Sequence, residues 1–371
     1  MRFVVTGGGT GGHIYPALAI ARGLKERYGS GVWYIGGTRG LEREIVPREG
    51  FPFRSLELAG LKRGFSPSNL AAGWKAAAGV VTAYRYLKEI GPDAVVGTGG
   101  YVCGPVVLAA ALRRIPTLIH EQNALPGITN RMLSRITGCV AVTFEESRRY
   151  FSAGTVVRVT GLPVRKEIMA VDRERARENL GIPGEGLLVL SFGGSQGARS
   201  INTAMKTVLR HFAGRKGINF LHIAGPANYD EFMAGAKNGI NYPECGNITI
   251  ASYMHDMPSA LAAADLAICR AGAATVAELT AVGLPSILIP YPYAAGNHQE
   301  HNARALEKKG AAVVIRDGEL SGGRLVSEIE RLMAGKGTLE KMSMASRGQG
   351  KPAAIDDILD CIQELLDNRR K

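Results

Sequence analysis

The sequence predicts an α/β protein made of two Rossmann-like domains, each with a parallel sheet. Short apolar runs that end in glycine alternate with amphipathic stretches along almost all of the 371 residues, which is typical of parallel strands covered by helices. The alternation restarts near residue 163, and a chain of this length fits two domains of ordinary size better than one. We expect the two domains to face a central cleft.

Each half of the chain contains six predicted strands, separated by stretches with helical periodicity. In the first half, strands are predicted at 3–6, 31–35, 94–97, 117–120, 139–142 and 156–159. In the second half, they are predicted at 187–192, 219–223, 248–251, 266–269, 286–289 and 312–315. The clearest helical patterns cover 16–28, 198–210, 257–263 and 274–282.

The segment 161–165 (GLPVR) predicts a hinge between the two series of strands. We therefore expect a first domain at 1–162 and a second domain at 163–351. The last helical pattern, at 355–366, carries apolar residues at i, i+3 and i+4 spacing, which predicts one buried face. We expect residues from about 352 to 371 to pack back on the first domain.

The formal net charge of +12 predicts an anionic partner, although a basic surface can also serve solubility alone. Nucleic acid is not expected, because the basic residues form no continuous run and no nucleic-acid-binding signature is present. The five scattered cysteines lack CxxC spacing, which argues against a disulfide framework and indicates a reducing compartment. We find no secretory signal and no run of about 18 apolar residues, so we expect a cytoplasmic protein without a transmembrane segment.

The first candidate site is the sequence GGGTGGH at 7–13, directly after the first predicted strand. Glycines let a ligand approach the backbone closely, and the helix that follows offers free N–H groups to an anion. A nicotinamide cofactor is disfavoured, because the loop departs from the G-x-G-x-x-G fingerprint and no acidic residue ends the second strand. His13 is the candidate general base; the alternative is a histidine that only fills a turn.

Two more glycine-rich loops lie in the second half of the chain. GGSQGAR at 193–199 combines backbone amides with the Ser195 hydroxyl, which suits a diphosphate. RAGAATVAE at 270–278 leads into a helix whose first amides, with Thr275, can bind phosphate. Glu278 can accept hydrogen bonds from ribose hydroxyls. The alternatives are turns that only pack a strand on a helix, and a glutamate that only stabilises the helix dipole.

Polar loops supply further candidates. NHQEHNA at 297–303 carries amides and imidazoles that can hydrogen-bond to sugar hydroxyls. Its two histidines at i, i+3 spacing are weak metal candidates, because no third and fourth ligands are evident, and no metal is expected. The loops 97–105 (GTGGYVCGP) and 120–127 (HEQNALPG) are expected on the acceptor side of the cleft.

Together with the segment 161–165, these ordered motifs resemble the MurG family of UDP-GlcNAc transferases over essentially the whole chain. The resemblance implies a GT-B fold and an inverting transfer of GlcNAc from UDP-GlcNAc to the C4 hydroxyl of MurNAc in lipid I, the undecaprenyl-pyrophosphoryl-MurNAc-pentapeptide. The product would be lipid II, used in peptidoglycan biosynthesis. It further implies no cofactor, no active-site metal, and a peripheral position at the cytoplasmic face of the inner membrane.

By motif match, the resemblance also implies residue roles. The implied catalytic residue is His13, and the implied acceptor-side residues are Gly9, Thr98, Tyr101 and Asn123. Implied contacts to the diphosphate come from Arg165, Ser195, Ala273, Ala274 and Thr275. The implied donor-binding residues of the first glycine loop are Thr10, Gly11 and Gly12. In the second half of the chain, Tyr253 and Met254 would flank the uracil, Glu278 would bind the ribose, and Gln299 would bind the GlcNAc hydroxyls.

The chain departs from the family pattern at two places. Some members have two consecutive glutamines where this chain has His298-Gln299, so the role of His298 stays open. The family often has Ser-Gly where this chain has Ala271-Gly272, which removes one hydroxyl near the phosphate.

The stretch 54–114 predicts docking on an anionic membrane surface. It holds eight Lys/Arg against three Asp/Glu and mixes them with bulky apolar residues, at 61–65, 74–75 and 112–115. This composition is typical of an interfacial contact, although an ordinary solvated face is the alternative. For the chain as a whole, the alternatives are another GT-B glycosyltransferase, a UDP-sugar epimerase and a non-catalytic UDP-sugar-binding module. Acceptor-dependent product formation distinguishes among them.

Overall fold

The computed structural model describes residues 1–29, 31–58, 67–182, 186–236 and 245–370, with side-chain surroundings for all of these except 67–73, 235–236 and 370. The chain divides into two compact units. The first unit comprises Met1–Pro163 and Lys351–Lys371, and the second unit comprises Val164–Gly350.

The first unit is built on a seven-stranded parallel sheet. Its strands are β1 (Arg2–Thr6), β2 (Gly31–Gly37), β3 (Phe53–Leu56), β4 (Ala94–Gly97), β5 (Thr117–Glu121), β6 (Cys139–Val142) and β7 (Val157–Val159). Its helices are α1 (Gly11–Tyr28), α2 (Glu42–Arg48), α3 (Pro67–Ile90), α4 (Cys103–Leu112), α5 (Ile128–Leu133) and α15 (Ala354–Arg370). The strand order is β3-β2-β1-β4-β5-β6-β7. The order therefore reverses between β1 and β4, the place where open α/β sheets bind ligands.

The second unit repeats this plan with a six-stranded parallel sheet. Its strands are β8 (Leu187–Phe192), β9 (Ile218–Ile223), β10 (Ile248–Ala251), β11 (Leu266–Cys269), β12 (Ser286–Leu288) and β13 (Ala312–Val314). Its helices are α6 (Lys166–Ala170), α7 (Arg173–Asn179), α8 (Arg199–Phe212), α9 (Tyr229–Ala236), α10 (Met257–Ala263), α11 (Ala273–Val282), α12 (His298–Lys308), α13 (Gly322–Ala334) and α14 (Thr338–Gln349). The strand order is β10-β9-β8-β11-β12-β13, so the reversal lies between β8 and β11.

All twelve predicted strands are present, with small differences at their ends. One further strand, β3, was not predicted, because it lies at the edge of the sheet and its Phe53 and Arg54 are not buried. Helix α1 begins at Gly11, five residues before the predicted start at Pro16. The predicted start lies too far along the chain because glycine and proline both have low helix propensity. Pro16 is the sixth residue of this helix and lacks the N–H that would donate to the Gly12 carbonyl oxygen, so its place inside the helix depends on packing against the sheet.

Helix α15 packs against α1 on one face of the first sheet. Gly23 allows the close approach, because a Cβ there would lie 2.9 Å from Ile355 and 3.2 Å from Leu359. At the edge of this contact, the Tyr28 hydroxyl donates to Gln363 Oε1 at 3.0 Å. The opposite face of the sheet is covered by α3 and α4.

A buried carboxylate fixes the glycine-rich loop that follows β1. Glu42, the first residue of α2, is fully buried and accepts the N–H of Gly37 at 2.9 Å and the N–H of Gly9 at 3.2 Å. A Cβ at Gly8 would lie 2.3 Å from its Oε1. Glu42 therefore connects the end of β2 to the loop at residues 7–10, and only glycine leaves room for it.

We expect Glu42→Gln to destabilise the first unit by about 1–3 kcal/mol, because both carboxylate oxygens face N–H donors and an amide nitrogen would oppose one of them. Urea unfolding followed by circular dichroism measures the change. Glu44→Gln is the matched control, since Glu44 lies exposed on the same helix. Equal stability of the two variants would contradict the role given to Glu42.

Candidate functional site

Two glycine-rich loops meet at the carboxyl ends of β1 and β4. A Cβ at Gly7 would lie 2.0 Å from Thr98 Oγ1, and a Cβ at Gly100 would lie 2.3 Å from the Gly8 carbonyl oxygen. Gly100 also has a φ of 81°, a conformation that side chains disfavour. The loops at 7–10 and 98–101 therefore touch backbone to backbone, and the first turn of α1 lies beside them.

His13 lies in the first turn of α1 and is partly exposed. Its Nδ1 is 2.9 Å from the Thr98 carbonyl oxygen and 3.1 Å from Gln122 Oε1. The His13 main-chain oxygen accepts the Thr98 hydroxyl at 2.8 Å. Both ends of the residue are therefore tied to the loop after β4, which holds the imidazole ring in one orientation.

The other predicted residues of the first glycine loop lie at the entrance to α1. Thr10 is exposed, and its carbonyl oxygen accepts the N–H groups of His13 at 3.1 Å and Ile14 at 3.2 Å. Gly11 and Gly12 form the start of the first helical turn, whose N–H groups have no partner within the helix. Gly9, with a φ of 85°, is exposed and packs beside the Tyr101 ring.

The structure gives Thr98 and Tyr101 different surroundings. Thr98 is fully buried, and its hydroxyl contacts the main-chain oxygens of Thr6 and His13. Its side chain thus holds the loops together, while its carbonyl oxygen contacts His13. Tyr101 is half-buried, and burial, with a further contribution from the nearby Glu42 carboxylate, raises the pKa of its phenol. Tyr101 is therefore neutral and can donate a hydrogen bond.

Asn123 follows β5 and is held by its neighbour Glu121. The buried Glu121 carboxylate accepts the main-chain N–H of Asn123 at 2.9 Å and its Nδ2 at 3.3 Å. It also accepts the N–H of Gly127 at 3.0 Å and the side-chain amide of Asn130 at 2.8 Å. Glu121 therefore fixes the conformation of the loop 120–127, which carries the predicted acceptor-side residue Asn123.

In the second unit, a similar pair of loops follows β8 and β9. Gly197, with a φ of 76°, approaches the Ala224 carbonyl oxygen so closely that a Cβ would lie 2.3 Å from it. A Cβ at Gly225 would lie 2.5 Å from Gly197 Cα. The predicted phosphate-binding residue Ser195 lies exposed on this loop, directly before α8.

The loop after β11 leads into the N-terminus of α11. Gly272 caps this helix without a side-chain hydrogen bond, and Ala273, Ala274 and Thr275 supply its first three N–H groups. These N–H groups lie at the positive end of the helix dipole. Arg270 holds the loop from behind, donating to the Ile289 carbonyl oxygen at 3.1 Å and forming an ion pair with Asp317.

Arg165 and Glu278, predicted separately, form an ion pair in the second unit. The guanidinium of Arg165 lies 3.2 Å from Glu278 Oε1 through Nη2 and 3.3 Å through Nε. Burial raises the pKa of Glu278, and the charge of Arg165 opposes that rise. Glu278 lies one turn into α11, so the pair stands close to the helix N-terminus.

The predicted sugar-binding residues lie at the start of α12. Gln299 Oε1 accepts the N–H of Tyr291 at 3.0 Å and that of Ala271 at 3.2 Å, which orients its amide nitrogen away from both. His298 Nδ1 contacts the Ala295 carbonyl oxygen at 2.8 Å. Within the described residues, no group of three or more His, Cys, Asp and Glu side chains is arranged to hold a metal ion.

Tyr253 and Met254 lie on the loop after β10. Tyr253 is exposed and its ring lies edge-on to that of His255, with 4.8 Å between the centroids. Met254 is half-buried beside it. These two residues therefore offer an aromatic and an apolar surface at the carboxyl edge of the second sheet.

The site is supported by four buried polar residues that were not predicted as site residues from the sequence, namely Glu42, His120, Glu121 and Gln122. Three of them belong to the motif at 120–127, from which only Asn123 was predicted as a site residue. Glu42 lies five residues beyond β2, so no local pattern marks it. Burial of a charged or amide side chain was the missing signal, and it depends on tertiary contacts.

Comparison with known proteins places this geometry in a family. Residues 3–142 match the glycosyltransferase family 28 N-terminal domain, and residues 188–358 match the corresponding C-terminal domain. An enzyme of Desulforudis audaxviator named UDP-N-acetylglucosamine–N-acetylmuramyl-(pentapeptide) pyrophosphoryl-undecaprenol N-acetylglucosamine transferase is 55% identical over 98% of both chains. A relative of the same name in Desulforamulus reducens is 51% identical over 99% of both chains.

Comparison with solved structures agrees with the family found from the sequence relatives. The crystal structure of Acinetobacter baumannii MurG superimposes with a TM-score of 0.81 at 31% identity, over 98% of this chain and 99% of that one. A UDP-GlcNAc 2-epimerase from Neisseria meningitidis reaches a TM-score of 0.68 at 13% identity over 98% of this chain and 100% of that one, which shows a shared fold alone. The GT-B fold predicted from the sequence is confirmed. The chain therefore belongs to glycosyltransferase family 28 and, within it, to the MurG family of glycosyltransferases.

Proposed function

We propose that this glycosyltransferase transfers GlcNAc from UDP-GlcNAc to the C4 hydroxyl of MurNAc in undecaprenyl-pyrophosphoryl-MurNAc-pentapeptide. The activity is the one named for its relatives. The observation that carries the proposal is the bonding of His13, whose Nδ1 faces two acceptor oxygens. The other ring nitrogen, Nε2, is then the basic one, as a general base requires.

The chemical step is a direct displacement at the anomeric carbon of GlcNAc. The acceptor O4 forms a bond to C1 as the bond between C1 and the β-phosphate oxygen breaks, so the configuration at C1 inverts. UDP leaves with the bonding electron pair. His13 Nε2 takes the proton of the acceptor hydroxyl, and Gly9, Tyr101, Asn123 and the backbone of Thr98 line the acceptor side.

Negative charge builds on the β-phosphate as UDP leaves. In this proposal, the first N–H groups of α11 and the Ser195 hydroxyl donate to the diphosphate, and Arg165 supplies a full positive charge. Thr10, Gly11 and Gly12 are proposed as further donor-binding residues through the backbone N–H groups at the start of α1. Donors fixed before the reaction stabilise such charge effectively, so the chain itself can perform this step without a metal or cofactor.

The remaining donor contacts follow from the second unit. Glu278, as a carboxylate, accepts hydrogen bonds from the ribose hydroxyls, and Tyr253 with Met254 flanks the uracil. Gln299 uses Oε1 for two main-chain N–H groups, so its Nε2 is directed to the GlcNAc hydroxyls. His298, bonded to the Ala295 carbonyl oxygen, shapes the start of α12.

We further propose that the first unit docks on an anionic membrane from the cytoplasmic side, as a peripheral protein. Trp74 and Val81 lie two turns apart on α3, and Leu108 and Leu112 lie one turn apart on α4; all four are exposed. Arg113 links the two helices, with its guanidinium 4.8 Å from the Tyr84 ring centroid. The predicted contact at 61–65, including Lys62 and Arg63, lies outside the described residues.

This surface combines the features of an interfacial contact. Exposed apolar side chains enter the headgroup boundary, while Arg85 and Arg114 attract anionic lipids. No helix in the described part of the chain combines the length and apolar character needed to cross a bilayer. Docking would bring the first unit to an acceptor whose undecaprenyl chain remains in the membrane. Nucleic acid has no place in this proposal.

We expect UDP release from UDP-GlcNAc only when a lipid I analogue is present, and equally in EDTA, because the chain supplies the positive charge itself. A coupled assay for UDP, with mass spectrometry of the product, measures this. Release without acceptor would favour an epimerase or hydrolase. Donor binding without release would favour a binding module.

In the same assay, His13→Ala should lower kcat by about 10²–10⁴-fold, because proton removal from the acceptor is lost. His211→Ala is the matched control, since His211 lies on the surface of the second unit and pairs with Glu330. Near-normal turnover of the His13 variant would remove it from the role of base.

We expect Glu278→Gln to raise the KM for UDP-GlcNAc by roughly 10- to 100-fold at pH 7.5, through loss of a charged hydrogen bond worth about 1.5–3 kcal/mol. Because the pKa of Glu278 is raised in the folded protein, the carboxylate is lost on acidification at a higher pH than for an ordinary glutamate. Donor affinity of the unmodified chain should therefore fall early as pH decreases.

The Glu278→Gln variant should lack this acidic decline, because a glutamine cannot take up the proton. Calorimetric titration with UDP from pH 7.5 down to pH 5 measures both effects. Glu340→Gln serves as the control, because Glu340 is exposed on α14 of the same unit. An identical pH profile in both variants would count against the ribose contact.

Replacing Trp74 and Leu112 by aspartate should lower binding to phosphatidylglycerol vesicles by at least 10-fold, because each buried apolar side chain contributes about 1.5–3 kcal/mol. Flotation in a density gradient measures bound protein. Met344→Asp is the matched control, since Met344 is 68% exposed in the second unit, against 77% for Trp74 and 63% for Leu112. Unchanged flotation of the double variant would refute docking through α3 and α4.

A further inference from the structure

Behind His13 lies a pair of buried polar side chains to which the proposed mechanism gives no task. His120 is the next-to-last residue of β5 and is fully buried. Gln122 is the first residue after β5 and is 2% exposed. They contact each other, and Gln122 also contacts His13 and the Thr98 carbonyl oxygen. Buried polar groups need defined partners, so the direction of each hydrogen bond can be worked out from the chemistry of its neighbours.

The protonation of His120 follows from its contact with Gly161. His120 Nε2 lies 2.8 Å from the Gly161 carbonyl oxygen, which can only accept a hydrogen bond. Nε2 therefore carries the proton. Burial lowers the pKa of His120 to about 4, although the bond to Gly161 acts in the opposite direction. The ring is therefore neutral at pH 7, and its Nδ1 is left as an acceptor.

The orientation of the Gln122 amide follows in turn. Its nitrogen lies 3.1 Å from His120 Nδ1, 3.0 Å from the His120 carbonyl oxygen and 2.9 Å from the Thr98 carbonyl oxygen. All three are acceptors, so this end of the amide must be the NH₂ group. A flipped amide would set its oxygen against two carbonyl oxygens. Oε1 is thereby directed at His13 Nδ1, 3.1 Å away.

We infer that Gln122, oriented by His120, is a positioning residue that selects the Nδ1–H tautomer of His13 and so leaves Nε2 to accept the proton of the acceptor hydroxyl. This inference rests on the proposed function, in which His13 is the base. Gln122 acts together with the Thr98 carbonyl oxygen, the second acceptor of the same N–H. The amide is uncharged, so it orients the imidazole without the full negative charge that a carboxylate would bring.

Gln122→Met tests this inference, because methionine has a similar length but no strong acceptor. We expect the Nε2–H tautomer of His13 to become detectable and kcat to fall about 3- to 10-fold, with KM for UDP-GlcNAc unchanged, as loss of one neutral hydrogen bond implies. Two-bond ¹H–¹⁵N correlation spectra of histidine-labelled protein report the tautomer. His13→Ala assigns the His13 signals among the seven histidines.

Gln122→Glu is the conservative variant. Because its buried carboxyl group would face the carbonyl oxygens of Thr98 and His120, we expect it to stay protonated, so that one oxygen donates its hydrogen to these acceptors and the other is offered to His13 Nδ1. It should retain the Nδ1–H tautomer and turn over faster than the methionine variant. Gln363→Met is the matched control in the same unit, because Gln363 contacts Tyr28 rather than His13. Thermal melting checks that each variant is folded.

The inference is overturned if His13 is the Nε2–H tautomer in the unmodified protein, or if Gln122→Met keeps a pure Nδ1–H tautomer with full turnover. The spectra do not depend on activity, which separates this inference from the proposed function. If His13→Ala retains turnover while Gln122→Met shifts the tautomer, the base assignment fails and the selection of the tautomer by Gln122 stands.

Discussion

The contact between Thr98 and the first glycine loop is the interaction on which the rest of the first unit's site depends. Thr98 donates its N–H to the Thr6 carbonyl oxygen at 2.8 Å and its hydroxyl to that of His13. Its own carbonyl oxygen accepts from both His13 and Gln122, at 2.9 Å each. One buried residue thus joins the ends of β1, β4 and β5. The absence of a side chain at Gly7 is what allows this approach.

The two units use one sheet topology for two kinds of chemistry. In the first unit, the turn of α1 at the strand-order reversal presents a histidine whose ring is held by neutral oxygen atoms, which suits proton transfer. In the second unit, the N-terminus of α11 follows β11, the second strand at the order reversal. There, small residues expose the helix amides and the pair Arg165–Glu278 stands beside them. A helix dipole and a guanidinium suit an anionic leaving group. The difference lies in a few side chains at the same edge of similar sheets.

Much of the fold was predictable because its signals are local. Twelve strands were predicted from short apolar runs, many of them followed by glycine, and the glycine-rich loops were expected at the carboxyl ends of strands. The strand β3 escaped, because an edge strand such as 53–56 needs no buried run. The start of α1 was misplaced, because Gly11, Gly12 and Pro16 have poor helix propensity and only tertiary packing makes them helical. The roles of the individual site residues remain predictions.

The sequence by itself determined the fold class, the order of the motifs and, through their resemblance and the family they identify, the glycosyltransferase activity. These properties follow from residue type and spacing, which are visible along the chain. Only the tertiary structure decided that Glu42 fixes the first glycine loop, that Glu121 organises the loop around Asn123, and that Gln122 directs an oxygen to His13. Each of these depends on burial and on partners distant in sequence, because the direction of a hydrogen bond is set by the groups that surround it in space.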